Sequence, residues 1–185
     1  MNTLILNGAA RPGGDTAFLL DRFKAALGGD FYQVDAISAG IHPCTDCRWC
    51  WEHDGCVFHD GMDGFLDYLQ RADVVALASP IQFSELSGPL LSVASRLQCL
   101  WTAEQFRGRR LLSDRKRRGV VLLAGGGYGA PKRAIATAKT LLSELSADPC
   151  GVVLSGHTDQ LPAKDDEAAL AELTRIVEEI RGESK

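Results

Sequence analysis

The first loop of the sequence combines residue types that can hold an anion. It runs from residue 7 to residue 16 and reads NGAARPGGDT. Glycines let backbone N–H groups approach an anion closely, Thr16 can donate a hydroxyl hydrogen bond and Arg11 a bidentate one. The helix predicted to begin near Thr16 adds the partial positive charge of its N-terminus. The loop is therefore predicted to hold a phosphate, with a turn that only links strand to helix as the alternative. Its glycines are Gly8, Gly13 and Gly14.

The spacing of these glycines excludes two common nucleotide-binding loops. They do not fit the G-x-G-x-x-G pattern of dinucleotide sites, and no Gly-Lys-Ser/Thr follows them as in a Walker motif. The phosphate of a mononucleotide is therefore the predicted ligand. Ala9 and Asp15 belong to the same loop, and Asp15 is predicted to cap the following helix.

A second group of reactive residues is a run of cysteines with the pattern C-x2-C-x2-C-x5-C, formed by Cys44, Cys47, Cys50 and Cys56. Two-residue spacers let neighbouring sulfurs turn toward a common centre, which favours a [4Fe–4S] cluster. Tetrahedral zinc and free thiols are the other interpretations of this segment. The remaining cysteines, Cys99 and Cys150, are predicted to be ordinary core residues.

Short apolar runs alternate with longer amphipathic segments along the whole chain. Strands are predicted at 3–8, 31–34, 73–80, 120–124 and 151–155, and helices at 15–27, 62–72, 88–101, 130–145 and 165–181. This alternation predicts an α/β fold with a doubly wound, five-stranded parallel sheet and helices on both faces. Residues 1–185 are predicted to form a single domain, in which residues 42–60 are a cysteine-rich loop.

Three loops are expected to meet where the strand order of such a sheet reverses, beyond the carboxyl ends of the strands. They begin at Gly8, Ser79 and Gly125. The second loop offers amides, hydroxyls and one aromatic ring, which suit the polar edge and flat face of a flavin ring, and the glycines of the third let backbone lie against a planar ligand. The residues predicted to bind the cofactor in these two loops are Pro80, Ile81, Gln82, Phe83, Gly125, Gly126, Gly127 and Tyr128.

These loops and the cysteine segment resemble the flavodoxin-like family of NAD(P)H-dependent FMN reductases, in the branch that contains iron–sulfur flavoproteins. The resemblance covers nearly the whole chain and implies a flavodoxin-like strand order of 2-1-3-4-5. It also implies FMN as the cofactor, NAD(P)H as the electron donor, a [4Fe–4S] cluster on the four cysteines and a homodimer or homotetramer. The family usually has Ser, Asn and an aromatic residue where this chain has Ala9, Asp15 and Gln82.

The predicted function is an FMN-dependent oxidoreductase that takes electrons from NAD(P)H and passes them to a small-molecule or protein acceptor. The flavin carries this chemistry, so no catalytic acid or base is named. One alternative is an iron–sulfur flavoprotein that carries electrons from ferredoxin or another redox protein. The other is a flavodoxin-like binding module that has lost FMN, which the departures at Ala9, Asp15 and Gln82 motivate.

Composition and charge restrict the partners. The formal net charge of −4 argues against nucleic-acid binding, and no apolar run is long enough to span a membrane. The first residues lack the features of a signal peptide, so a cytoplasmic protein is expected. A basic stretch at residues 107–118 is interpreted as a solvated connection, with a subunit contact or a site for an anionic co-substrate such as NADPH as the alternative.

Overall fold

Parallel strands form the central sheet of this protein, of which the computed structural model describes residues 1–127 and 130–182. The strands are β1 (Asn2–Asn7), β2 (Asp30–Asp35), β3 (Val74–Gln82), β4 (Glu85–Leu86), β5 (Arg117–Gly125) and β6 (Ala147–Gly156). The order across the sheet is β2-β1-β3-β5-β6, and the short β4 pairs antiparallel with the end of β3. The five parallel strands thus follow the predicted order 2-1-3-4-5, and β4 is the one addition among the described residues.

Helices cover both faces of the sheet, which explains why its central strands are apolar throughout. Leu4 and Leu6 of β1 belong to the core on one face, and Ile5 between them belongs to the core on the other. The helices are α1 (Asp15–Leu27), α2 (Trp49–Glu52), α3 (Gly61–Arg71), α4 (Gly88–Ala94), α5 (Gln98–Arg107), α6 (Lys132–Glu144) and α7 (Glu167–Gly182). One core contains α1 and α7, whereas the other contains α3, α4, α5 and α6.

The predicted helix over 88–101 is broken in the structure. A 3-10 turn at Ser95–Leu97 separates α4 from α5. The Ser95 hydroxyl donates to the carbonyl of Ser92 at 2.6 Å and accepts the amide of Cys44 at 2.9 Å. A serine that bonds to nearby backbone in this way competes with regular helical bonding. The break therefore coincides with the point where the cysteine segment contacts the helices.

Four strands, β2, β3, β5 and β6, are longer than predicted. Strand β3 was expected to stop at Pro80, but it continues to Gln82, where it leaves the parallel sheet and pairs with β4. Strand β6 begins at Ala147, and its pairing with β5 shifts by one residue at Cys150. Proline lacks an amide hydrogen, so Pro149 cannot donate a hydrogen bond to the neighbouring strand. The pairing continues after a β-bulge at the next residue.

No helix within the described ranges has both the length and the apolar character that crossing a membrane requires.

Candidate functional site

A cleft of about 330 Å³ lies at the carboxyl ends of the strands. This volume falls within the range of about 300–1,000 Å³ that is typical of small-molecule sites. The first loop meets the ends of β3, β5 and β6 there, as the strand order predicts. The cleft is lined by Ala9, Ala10, Arg11, Gly14, Asp15, Thr16, Ala17, Pro80, Ile81, Gln82, Ala124, Gly126, Thr158 and Asp159.

The N-terminus of α1 supplies backbone donors to this cleft. The first helical bond runs from the amide of Phe18 to the carbonyl of Gly14 at 2.8 Å. The amides of Asp15, Thr16 and Ala17 therefore have no acceptor within the helix. All three residues line the cleft, and Thr16 is only 5% exposed. This end of the helix is suited to an anion, because its free donors and its dipole act together.

Two glycines give the first loop its shape. Gly13 has a φ of +69°, a left-handed conformation that favours glycine. A Cβ atom on Gly14 would stand 2.9 Å from the Arg11 Nε and 3.2 Å from the Arg11 carbonyl oxygen. The Arg11 side chain thus folds back over Gly14 at the edge of the cleft, and a larger residue at position 14 would displace it.

Asp15 has a different role from the predicted helix cap. Gly14 takes the cap position, in extended conformation and without a capping side chain. The Asp15 Oδ1 accepts the amide of Ala163 at 2.8 Å, and its Oδ2 lies 3.5 Å from the Arg11 Nη2. The prediction of an N-cap was therefore wrong. The carboxylate instead ties the first loop to the 3-10 turn at Ala163–Asp165, a long-range contact that local sequence does not encode.

Some predicted site residues lie outside the lining of the cleft. Gly8 donates its amide to Ala78 at 2.8 Å and accepts the Ser87 hydroxyl at 2.9 Å, so its backbone joins β1 to the second loop. Ala9 lines the cleft, but its amide is already bonded to the Asn7 Oδ1 at 3.0 Å. Predicted residues that are not part of the lining are Gly8, Phe83, Gly125 and Gly127. Tyr128 lies outside the described residues.

Thr158 and Asp159 line the cleft but were not predicted from the sequence. The Thr158 amide donates to the Gly125 carbonyl at 3.0 Å, which fixes the loop after β6 against the end of β5. The Asp159 carboxylate packs on Gly126, since a Cβ there would stand 2.5 Å from its Oδ1. The rule that placed the other loops could have found these residues, because the carboxyl end of β6 lies at the same edge of the sheet.

The four clustered cysteines line a second cavity, also of about 330 Å³, together with Cys99 and Arg96. Within residues 1–127 and 130–182, however, no three or more Cys, His, Asp or Glu side chains are grouped as metal ligands. The structure therefore does not support the predicted four-thiolate ligand set. The segment was predicted to be a loop, but helix α2 lies within it and the sulfurs are distributed along the cavity wall.

Cys99 is buried, as predicted, but it also contacts the cysteine cavity. Burial, together with the neighbouring Cys56 and Cys50, raises the pKa of its thiol to about 11. A thiol with this pKa stays protonated near neutral pH, so Cys99 is a poor nucleophile there. The sequence did not predict that Cys99 lies beside the four clustered cysteines, because Cys99 is far from them along the chain.

Arg96 holds the cysteine segment against the helices. Its side chain is buried, and its Nη1 donates to the His42 carbonyl at 2.9 Å and to the Asp60 Oδ2 at 2.7 Å. Its Nη2 donates to the Phe58 carbonyl at 3.0 Å. Burial raises the pKa of Asp60, but the hydrogen bonds from Arg96, Met62 and His42 outweigh burial and leave the pKa below its ordinary value. The pair therefore stays ionised at neutral pH.

The basic stretch at 107–118 is largely neutralised within the fold. Arg107 and Arg109 both pair with Asp54, and the other ion pairs of this stretch are Arg110–Asp114, Arg115–Asp73 and Arg118–Glu179. Arg117 is buried and donates to the carbonyls of Leu69, Ser113 and Arg115. These contacts favour the structural interpretation of the stretch over a site for an anionic co-substrate.

Sequence comparison identifies the family of the chain. Residues 1–158 match the NADPH-dependent FMN reductase family, a match that runs from β1 through β6. The chain belongs to this family. The match includes the first loop, the cysteine segment and the loops after β3 and β5, and among the described residues that line the cleft only Asp159 lies beyond it.

Individual relatives are named iron–sulfur flavoproteins. One from Methanocaldococcus jannaschii is 28% identical over 112 residues, which cover 59% of this chain and 58% of that protein. Another from Archaeoglobus fulgidus is 26% identical over 100 residues, which cover 52% of this chain and 46% of that protein. The chain thus spans about half the length of the relatives that it matches.

Solved structures with the same fold include two oxidoreductases. An NAD(P)H:quinone oxidoreductase from Methanothermobacter marburgensis aligns with a TM-score of 0.66 at 16% identity, covering 100% of this chain and 98% of that one. An FMN-dependent NADH-azoreductase from Bacillus anthracis, solved in complex with FMN, aligns with a TM-score of 0.65 at 14% identity, covering 97% and 99%. At these identities the likeness establishes the flavodoxin-like fold class.

Proposed function

We propose that this member of the FMN reductase family binds FMN in the cleft and transfers electrons from NAD(P)H to an acceptor. The observation that carries the proposal is the meeting of the free amide end of α1, Arg11 and Thr16 at one end of a cleft of suitable volume. These groups fit a phosphate monoester. The family match and the fold shared with an FMN-bound azoreductase support the same cofactor.

The residues of this chain bind and position the cofactor. The amides of Asp15, Thr16 and Ala17 and the Arg11 guanidinium hold the phosphate, while Pro80, Ile81, Gln82 and Gly126 form the walls for the remainder. FMN held there would supply the two-electron redox chemistry between NAD(P)H and an acceptor. The protein contributes orientation and the electrostatic environment of the ring.

FMN titration tests this function directly. Purified protein is titrated with FMN while flavin fluorescence is followed, and the loaded protein is then mixed with NADPH or NADH without oxygen. Saturable binding followed by bleaching of the visible flavin band is the expected result. Protein that binds no FMN, or that binds it without accepting electrons from either nucleotide, contradicts the proposal and favours a binding module.

Asp15→Asn is expected to strengthen FMN binding several-fold. The substitution removes a negative charge beside the phosphate site. The repulsion between two unit charges about 4 Å apart in water is about 1 kcal/mol. Asparagine keeps an oxygen that can accept the Ala163 amide, which lies 2.8 Å from the Asp15 Oδ1 in the wild type. Asp15→Ala removes that acceptor as well, and is expected to lower the free energy of unfolding by about 1–2 kcal/mol. Unchanged FMN affinity in Asp15→Asn would place the phosphate elsewhere.

A second candidate is an electron carrier of the iron–sulfur flavoprotein type. The names of the two archaeal relatives and the four cysteines on one cavity wall favour it, although their sulfurs are not grouped as ligands. Iron and acid-labile sulfide are measured in protein purified without oxygen, alongside a Cys47→Ser variant. Stoichiometric iron that is lost in the variant supports this candidate, and iron-free protein with six titratable thiols excludes it.

A further inference from the structure

Asn7 is a buried polar residue that ends β1 and begins the first loop. It is 8% exposed, and both ends of its side-chain amide are hydrogen-bonded. The Asn7 Oδ1 accepts the amide of Ala9 at 3.0 Å, and the Asn7 Nδ2 donates to the Asp35 Oδ1 at 2.8 Å. Asn7 is absent from the described residues of the cleft lining, so its side chain acts on a ligand only through the loop.

The hydrogen bond from Ala9 to Asn7 makes a turn at the start of the loop. A side-chain oxygen that accepts the amide two residues further on takes the place of a backbone turn. The residue between them is held as well, because the Gly8 amide donates to the Ala78 carbonyl and the Gly8 carbonyl accepts the Ser87 hydroxyl. The chain is therefore fixed in one direction before it reaches the N-terminus of α1.

Asp35, at the end of β2, determines how the Asn7 amide is oriented. A carboxylate only accepts hydrogen bonds, so it faces the Asn7 Nδ2 and leaves the Oδ1 for the Ala9 amide. Asp35 is held in turn, since the same Oδ1 accepts the Gln33 Nε2 at 2.7 Å and the Gln33 Oε1 accepts the Lys24 Nζ at 3.1 Å. The turn in the first loop is thus set from the neighbouring strand.

We propose that Asn7, oriented by Asp35, is a positioning residue that sets the first loop for the phosphate of FMN. This inference rests on the proposed function and deepens it, because it names side chains that shape the phosphate end of the site from outside the cleft. A loop that is already held in one conformation loses less freedom on binding, so more of the interaction appears as affinity. The walls proposed for the rest of FMN come from the loops after β3 and β5, and their contacts should not depend on Asn7.

The affinities for FMN and riboflavin test this inference, because riboflavin carries the same ring without the phosphate. Each flavin is titrated with wild-type and Asn7→Ala protein while flavin fluorescence is followed, and initial slopes are compared where riboflavin does not saturate. Asn7→Ala should weaken FMN binding about five- to tenfold, the effect of one lost hydrogen bond, and change riboflavin binding by less than about twofold. A general loss of packing would instead weaken both flavins equally.

Variants of Asp35 separate orientation from charge. If charge alone acts, Asp35→Ala removes a carboxylate near the loop and strengthens the binding of an anion. If Asp35 orients Asn7, the same variant lets the amide turn its Nδ2 toward Ala9, and FMN binding weakens about two- to fivefold. Asp35→Asn keeps an oxygen that can accept from Asn7, so it should hold FMN at least as tightly as the wild type.

Asn7→Ser and Tyr68→Phe complete the series. The serine hydroxyl can still accept the Ala9 amide, so Asn7→Ser should keep the fold and give an FMN-to-riboflavin ratio between those of the wild type and Asn7→Ala. The Tyr68 hydroxyl donates to the Asp30 carbonyl at 3.3 Å, at the opposite end of β2 from Asp35. Tyr68→Phe therefore removes one bond to the same strand away from the cleft, and both flavin affinities should stay at their wild-type values.

The outcomes distinguish this inference from the proposed function. Wild-type protein that binds no FMN overturns both before any variant is compared. Normal FMN binding in the wild type, with an unchanged FMN-to-riboflavin ratio in Asn7→Ala and Asn7→Ser, overturns the role of Asn7 alone. Equal weakening of both flavins assigns Asn7 to general stability and likewise overturns it, and tighter FMN binding in Asp35→Ala overturns the orienting role of Asp35.

Discussion

Replacing Arg96 with methionine should lower the free energy of unfolding by about 3–5 kcal/mol, the usual cost of breaking a buried ion pair from one side. Arg96 is 2% exposed, and the change removes its hydrogen bonds to the Asp60 carboxylate and to two backbone carbonyls. Because Arg96 connects the helices to both ends of the cysteine segment, the segment should also detach. Urea unfolding measures the first effect, and the rate of reaction of Cys99 with a thiol reagent measures the second.

Arg175→Met is the matched control for this change. Arg175 lies on α7 and pairs with Glu172 and Glu179, but its side chain is 52% exposed. Exposed pairs contribute about 0–1 kcal/mol, so this variant should unfold almost like the wild type. An equal loss of stability in both variants would show that charge number matters and that burial of the Arg96–Asp60 pair does not.

The same ion pair gives the stability a dependence on pH. The folded protein holds the pKa of Asp60 below its ordinary value. The stabilisation is therefore complete at a pH above the ordinary pKa, and it is lost as the pH falls through the lower pKa of the folded protein. The free energy of unfolding should therefore decrease below about pH 4. Arg96→Met should show a weaker decrease over this range, since the main group that lowers the pKa of Asp60 is gone.

Replacing Arg11 with alanine should weaken FMN binding roughly tenfold to a hundredfold, which corresponds to the loss of one charge-assisted hydrogen bond. The side chain is 79% exposed and folds over the first loop, where it can reach a phosphate at the end of α1. Because so little of it is buried, the variant should unfold at nearly the same urea concentration as the wild type. Fluorescence titration with FMN at several salt concentrations measures the loss.

Arg22→Ala controls for net charge in this experiment. Arg22 is exposed on the same helix and does not line the cleft, so its removal lowers the charge equally without touching the site. FMN affinity should stay within about twofold of the wild type and converge on it as salt screens the remaining field. Equal losses in Arg11→Ala and Arg22→Ala would mean that only the overall charge acts on FMN.

Periodicity and spacing in the sequence were sufficient for the fold class and for the edge of the sheet at which the cleft lies. Apolar runs between amphipathic segments identified the central strands β3 and β5, because burial on both faces favours apolar residues along most of their length. The strand ends then placed the first, second and third loops at one edge. The glycine spacing near Arg11 and Thr16 indicated a mononucleotide phosphate, since backbone reach is a local property.

Contacts between distant parts of the chain were decided only by the tertiary structure. The bond from Ala163 to Asp15 gave that carboxylate an anchoring role in place of a helix cap, and Arg96 and Cys99 completed a cavity with cysteines about fifty residues away in the chain. The direction of Phe83 also depended on a hairpin, formed when β3 continued past Pro80 to pair with β4. Sequence patterns report periodicity along the chain, whereas these features arise from distant segments that only folding brings into contact.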